Sequence, residues 1–210
     1  MMIDLRALSS ALVSHDKFSW ALFSNVIKAE VMQELSPCYP SEGYTRSERR
    51  VGPKKHYAFN LLKLVEHNIY SPPSNIIIDQ KWKILADNLM SNEYAEILGE
   101  TLKINLKNAL INIGFYRFDT MDWVAPHIDN EDKLVTQIFY FNSLWSNAWG
   151  GQFKLLNNQN PLSEFFAVPP LASFSVAIAR SDCAWHMVSS IEKIAVQPRL
   201  SMQLEFIKRM

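Results

Sequence analysis

Two periodicities divide this chain. Between residues 25 and 37, NVIKAEVMQELSP, the apolar positions Val26, Ile27, Val31 and Leu35 recur at helical intervals and the run stops at Pro37, which predicts a helix. Further on, QKWKILADNLMSNEYAEILGETL (80–102) spaces Trp82, Leu85, Leu89, Ile97 and Leu102 in the same way, predicting one or two helices with a break at Ser91 and Asn92. From about residue 109 the period changes. ALINIGFYRF, KLVTQIFYFN, GQFKLL, EFFAV, ASFSVAIA and RLSMQLEFI are short runs rich in β-branched and aromatic residues, separated by turn-like pieces. That pattern predicts an antiparallel β sandwich or barrel. The expected organisation is therefore one domain, α+β and mainly β, in which a helical and loop part, residues 1–108, packs on a β core, residues 109–210.

Between the helical stretches, CYPSEGYTRSERRVGPKKH (38–56) combines Pro, Gly and Ser with Arg46, Arg49, Arg50, Lys54 and Lys55, and reads as a long basic loop. It is either a solvated surface or a lid over an anionic substrate. The chain as a whole has no such bias: among its 210 residues Lys+Arg and Asp+Glu both number 21. No global field favours nucleic acid or a charged membrane surface, so neither is an expected partner. No apolar run approaches a membrane span, and the first twenty residues, studded with Asp4, Arg6, His15, Asp16 and Lys17, do not form a secretory signal. Two cysteines, Cys38 and Cys183, make neither a disulfide framework nor a zinc motif, so a reducing, cytoplasmic setting is expected.

The chemistry concentrates in VAPHIDNEDK (124–133). On an extended strand residues i and i+2 share a face, so His127 and Asp129 present an imidazole and a carboxylate side by side. A mononuclear ferrous site of the two-histidine, one-carboxylate type needs one more ligand and an open side for substrate and oxygen. His186, in CAWHMVSSI, is the best placed, beyond several predicted strands and beside a strand start. His15 and His67 fall in helical country and His56 in the basic loop. Further along, Arg199 and Ser201 stand at i and i+2 of the last predicted strand, where a guanidinium and a hydroxyl on one face can clamp a carboxylate. That face also carries Gln203 and Glu205, an alternation that would equally suit a side turned to solvent.

Residues 111–207 resemble the Fe(II)- and 2-oxoglutarate-dependent dioxygenases of the prolyl-hydroxylase type. Five features carry the resemblance, in order: PHID for the His-x-Asp pair, FYFNSLW for the family's Tyr-x-Asn-x-x-Trp strand and turn, WGGQF for its Gly-Gly turn, WHMV for the distal histidine and RLS for the Arg-x-Ser. The resemblance implies a double-stranded β-helix (jelly roll) with flanking N-terminal helices, Fe(II) as metal, and 2-oxoglutarate and O2 as co-substrates. It makes His127, Asp129 and His186 the iron ligands. Arg199 would hold the distal carboxylate of 2-oxoglutarate with help from Ser201 and Tyr140, the latter sharing a face with Thr136 and Ile138, and Tyr116 would lie beside the co-substrate. The stretch from His186 to Arg199 is longer than in prolyl hydroxylases, and Gln152 and Phe153 depart from the residue types usual after Gly-Gly. Because related halogenases lack the carboxylate, Asp129 points to hydroxylation or another oxidation. The expected substrate is a small molecule, such as an amino acid, a sugar or a biosynthetic intermediate, and the charge of the basic loop points to an anionic one. A peptidyl or prolyl hydroxylase acting on protein, a metal-binding cupin-like protein without oxygenase activity and a nucleic-acid demethylase are the alternatives. The charge balance speaks against the last, and Arg199 with Ser201 against the cupin-like protein.

Overall fold

A computed structural model describes residues 1–52 and 55–209, so Lys54 of the basic segment lies outside the described residues. The elements run α1 (Arg6–Ser9), β1 (Leu12–Ser14), β2 (Trp20–Ser24), α2 (Ala29–Leu35), β3 (Thr45–Arg49), β4 (Tyr57–Glu66), β5 (Ile69–Tyr70), α3 (Gln80–Leu89) and α4 (Asn92–Leu102). The second half adds β6 (Leu110–Phe118), β7 (Trp123–His127), β8 (Lys133–Tyr140), β9 (Phe153–Leu156), β10 (Glu164–Val168), β11 (Phe174–Ala179), β12 (His186–Val188) and β13 (Arg199–Ile207). Each of the six β-rich runs read from the sequence after residue 109 is a strand.

The strands follow the order β1-β2-β11-β8-β13-β6-β4-β7-β12-β9-β10, a single antiparallel sheet curled on itself into a jelly roll. The closing strand is β4. Its first residues, Tyr57 and Ala58, pair with Val124 and Trp123 of β7, whereas Asn60 to Val65 pair with β6, so one long strand passes from one layer to the other. Strict alternation then sorts side chains between two cores. Along β8, Val135 and Phe139 face the helices, whereas Ile138 and Tyr140 face the interior of the roll. The same split places Phe115, Met202, Leu204 and Phe206 outside with α3 and α4, and Phe118, Val176 and Ile178 inside with Phe153, Leu155 and Val188 of the opposite layer. The interior of the roll is where polar side chains can converge.

Capping chemistry sets the two long helices. The Asp79 carboxylate accepts from the Lys81 amide at 2.9 Å, and Ser91 accepts from the Tyr94 amide at 3.2 Å, so the predicted break at Ser91 and Asn92 is the N-cap and first residue of α4. Trp82 anchors α3. It is fully buried among Tyr39, Phe115 and Phe141 and donates its indole N–H to the Cys38 carbonyl at 2.9 Å.

The N-terminal part departs from its reading as helix and loop only. The helix expected over 25–37 shrinks to Ala29–Leu35, because Asn25 takes a left-handed φ of 56° at the end of β2 and Ile27 bridges to Ile3. The basic segment is not a loop throughout: Thr45–Arg49 is a strand paired with β4. Its composition concealed it, since an edge strand with one neighbour and both faces near solvent needs no apolar alternation. Apolar β4 itself, at the centre of the closure, was not foreseen.

Replacing Trp82 with alanine removes the anchor between α3 and the sheet, and should cost about 3–5 kcal/mol of folding stability. Chemical denaturation followed by far-UV circular dichroism measures it. A loss below about 1 kcal/mol would mean that the helices are not held through this side chain.

Candidate metal centre and anion pocket

His127 owes its aim to an irregularity in the ladder. Val124 pairs with Val188 and His127 with His186, so β7 spends three steps where β12 takes two. The extra residue, beside Pro126, reverses the alternation and lets Val124 and His127 both point into the roll, the usual work of a β-bulge near a site. His186 opens β12 directly opposite. Asp129 follows just past the end of β7. All three side chains are buried, and one ligand atom from each lies within 4.8 Å of the others.

The imidazoles are oriented for ligation. Nδ1 of His127 meets the Ala125 carbonyl at 2.9 Å, and Nδ1 of His186 meets the Ala184 carbonyl at 2.9 Å. A carbonyl can only accept, so each Nδ1 carries the proton and each Nε2 presents a lone pair. Those Nε2 atoms lie 3.8 Å and 4.0 Å from the same oxygen, Asp129 Oδ1. Burial, with the charges of His186 and Lys55, holds the His127 imidazole well below the usual histidine range, and burial lowers His186 as well. Both rings are therefore neutral near pH 7, the form that binds a metal.

Asp129 is held at both oxygens. Oδ2 accepts from Thr136 Oγ1 at 2.8 Å, and Lys133 Nζ lies 3.2 Å from Oδ1. Burial opposes the charged carboxylate, but Lys133 and the two imidazoles outweigh it and keep Asp129 below the ordinary carboxylate range. Lys133 also donates to Glu205 Oε1 at 2.7 Å. Burial works against its ammonium too, and Glu205 with Asp129 more than compensates. A second register shift delivers this lysine. Phe206 pairs with Val135 and Ile207 with Lys133, so Leu134 is the extra residue and Lys133 turns inward.

Deeper in the roll, Arg199 is 0% exposed. Its Nε donates to the Gly151 carbonyl at 2.9 Å and Nη1 to Ser201 Oγ at 2.8 Å, and its guanidinium lies over Phe118 and Tyr140, 4.7 and 5.1 Å from the ring centroids. Among the described residues no carboxylate pairs with it. Its Nη2 and the Tyr140 hydroxyl are both buried without a hydrogen-bond partner. Burial pushes the Tyr140 phenol up to about 12, against the pull of Arg199, so it is a donor at neutral pH. Ser201 pairs with Tyr116 on one side and Tyr140 on the other, placing both tyrosines beside it in the ladder. The Gly-Gly turn leaves room for this arrangement. A Cβ on Gly150, at φ 68°, would lie 1.9 Å from the Ser190 carbonyl oxygen, and one on Gly151 would lie 3.3 Å from Arg199 Cδ.

The three metal-ligand candidates of the sequence reading thus converge, as do Arg199, Ser201 and Tyr140, while Tyr116 lines the neighbouring wall. The solvent-facing alternative for the Arg199 face does not hold at Arg199 and Ser201, which are buried. Sequence reasoning did not find Lys133 or the role of Thr136. Both depend on register, for which no local pattern exists.

No family model matches this chain, and neither does any curated protein sequence. Solved structures do. A Pseudomonas putida prolyl-4-hydroxylase superposes with a TM-score of 0.64 at 15% identity, covering 98% of this chain and 97% of that one. A Trichoplax adhaerens prolyl hydroxylase, solved in complex with a hypoxia inducible factor oxygen degradation domain peptide fragment, gives 0.64 at 14% identity over 98% and 87%. The non-haem α-ketoglutarate-dependent epimerase SnoN from nogalamycin biosynthesis gives 0.57 at 12% identity over 90% and 78%. The chain therefore has the fold these proteins share, a fold that hosts more than one chemistry.

With Asp129 replaced by alanine, binding of Co(II), read from its visible absorption, should weaken by at least about a hundredfold, beyond what losing a supporting residue costs. Unchanged affinity would place the metal elsewhere. Gly150→Ala should leave little folded protein in a thermal melt, because a backbone carbonyl cannot move aside as a side-chain end can.

Proposed function

We propose that this protein is an Fe(II)- and 2-oxoglutarate-dependent dioxygenase that hydroxylates an unactivated C–H bond of a small molecule, such as an amino acid, a sugar or a biosynthetic intermediate, with release of succinate and CO2. The observation that carries this reading is the buried guanidinium of Arg199, which has an unpartnered Nη2 beside an unpartnered Tyr140 hydroxyl and, among the described residues, no carboxylate partner. An uncompensated buried charge is costly, and a ligand carboxylate would satisfy it bidentately. A metal-binding protein without a dicarboxylate partner has no use for such a pocket.

The residues fit the proposed cofactors. Two neutral imidazoles and one carboxylate on one side of a cavity suit ferrous iron and leave its other positions free. Bound iron with 2-oxoglutarate would supply the activation of O2 and the oxidation of the substrate C–H bond. The chain supplies position. His127, Asp129 and His186 hold the metal, Thr136 fixes the second Asp129 oxygen so that the carboxylate offers only Oδ1, and Arg199, Ser201 and Tyr140 take the far carboxylate of the co-substrate. Tyr116, on the other side of Ser201, completes the wall along which its carbon chain would lie. The apolar lining of Phe118, Phe153 and Ile138 keeps water from the deep end.

The substrate side carries a cationic rim. Arg49 and Lys55 lie 5.6 and 6.0 Å from the centroid of the Tyr57 ring, and Tyr57 pairs with Val124 three residues before His127. This supports a substrate bearing an anionic group. A second reading, hydroxylation of a peptide, is favoured by the peptide held in the Trichoplax neighbour.

Anaerobic addition of Fe(II) and 2-oxoglutarate should give a visible metal-to-ligand charge-transfer band. Arg199→Met should raise the co-substrate concentration needed by about a hundredfold or more, and Asp129→Ala should abolish Fe(II)-dependent succinate release. Retained turnover in Asp129→Ala would sink the proposal. Once a substrate is in hand, Arg49→Ala with Lys55→Ala should raise its KM with kcat little changed, and an unchanged KM would remove the rim from recognition.

A further inference from the structure

Beside the metal centre a cavity of about 80 Å³ opens over the inner face of β4, β6 and β13, bounded by Leu61, Lys63, Gly114, Tyr116, Gln203 and Glu205. Two contacts join it to the candidate metal ligands: Glu205 holds Lys133 at 2.7 Å, and Lys133 reaches Asp129 at 3.2 Å. A group bonded to Glu205 is therefore linked to Asp129 through a single ammonium, that of Lys133. Tyr116 forms the wall shared with the proposed co-substrate pocket, because it pairs with Ser201, the partner of Arg199.

The lining has a definite polarity. Its cations are already paired, Lys63 with Glu66 at 2.6 Å, and Lys133 behind it with Glu205. Glu205 uses Oε1 for Lys133, which leaves its other oxygen as an acceptor. Gln203 stands beside it on the same strand face, half-buried, with its amide uncommitted among the described residues. Glycine at 114 keeps the floor low, since a Cβ there would lie 2.9 Å from Leu61 Cδ1 and 3.5 Å from the Tyr116 ring. With both ion pairs closed, the second Glu205 oxygen and the Gln203 amide are the polar groups that this lining offers a ligand among the described residues.

We infer that this cavity is the subsite for a hydrogen-bond-donating end of the substrate, an amine or a hydroxyl, which donates to the free oxygen of Glu205 and is oriented by the Gln203 amide. The inference rests on the oxygenase reading above and deepens it. The donor end enters over β13 while an anionic end faces the Arg49 and Lys55 rim, and the C–H bond between them is presented to the metal. A site built around a half-buried acceptor also discriminates, because a ligand without the donor leaves that acceptor unpaired.

The amine and hydroxyl sources can be separated with two probe mixtures, the twenty common L-amino acids and a set of hexuronic acids, both of which carry a carboxylate, screened by saturation-transfer NMR against the full chain loaded with Zn(II) and 2-oxoglutarate. A member of one mixture should bind. Its affinity should fall at least about tenfold in Glu205→Gln, the range expected for a hydrogen bond to a charged group, and also in Gln203→Leu, which leaves the Lys133 ion pair intact. Replacing the amino group of an amino-acid binder with hydrogen, or O-methylating the hydroxyls of a hexuronic acid, should abolish binding. Failure of both mixtures to bind, equal binding by both variants, or retained affinity after blocking the donor would overturn the assignment. The Fe(II)–2-oxoglutarate absorption band separates the two levels: it persists in Gln203→Leu if only the subsite is wrong, and is missing from the unsubstituted protein if the oxygenase reading is wrong.

Discussion

Everything in the interior of this roll is arranged around an arginine that the protein itself does not neutralise. Arg199 is wholly buried, bonded to a backbone carbonyl and a serine hydroxyl, with one nitrogen and a neighbouring phenol left without partners. Desolvating a guanidinium without a counter-ion is among the most expensive things a fold can do. The surrounding structure shares the burden. The Gly-Gly turn brings the Gly151 carbonyl within 2.9 Å, and the rings of Phe118 and Tyr140 flank the cation. These contacts place and partly satisfy the charge, and they leave Nη2 and the Tyr140 hydroxyl side by side as buried donors.

The cluster of His127, Asp129 and His186 shares the interior of the roll and depends on two breaks in strand alternation. In β7 the bulge beside Pro126 turns His127 inward, and in β8 the extra residue Leu134 turns Lys133 inward. Each break costs some ladder regularity and yields a side chain the regular pleat would have turned out of the roll. Lys133 then links Asp129 to Glu205, so the carboxylate facing the histidines and the carboxylate lining the adjoining cavity are held by one ammonium. Substitution at any of the three will be felt by the others, and their effects will not add.

Much of this was legible beforehand, for identifiable reasons. Strands after residue 109 show because inner and outer faces are both apolar, giving dense β-branched and aromatic runs. The α3–α4 boundary shows because Ser91 is an N-cap, a local device. The basic segment misled because β3 is an edge strand made of polar residues, and β4 escaped because nothing local distinguishes a strand that closes a barrel. The helix around α2 was overextended because Val26 and Ile27 are apolar for a different reason, packing near the N-terminal bridge at Ile3.

By itself the sequence determined which chemistries were available: a His-x-Asp pair at strand spacing, a later histidine, and an Arg-x-Ser on a last strand, all set by period-two geometry that a linear string displays. Only the tertiary structure decided that those residues meet, that Arg199 is buried rather than turned to solvent, and that Thr136, Lys133 and Glu205 join the cluster. The physical reason is register. A one-residue shift in a ladder moves a side chain to the other face, and the pairing partners that set it lie dozens of residues away, where no local pattern records them.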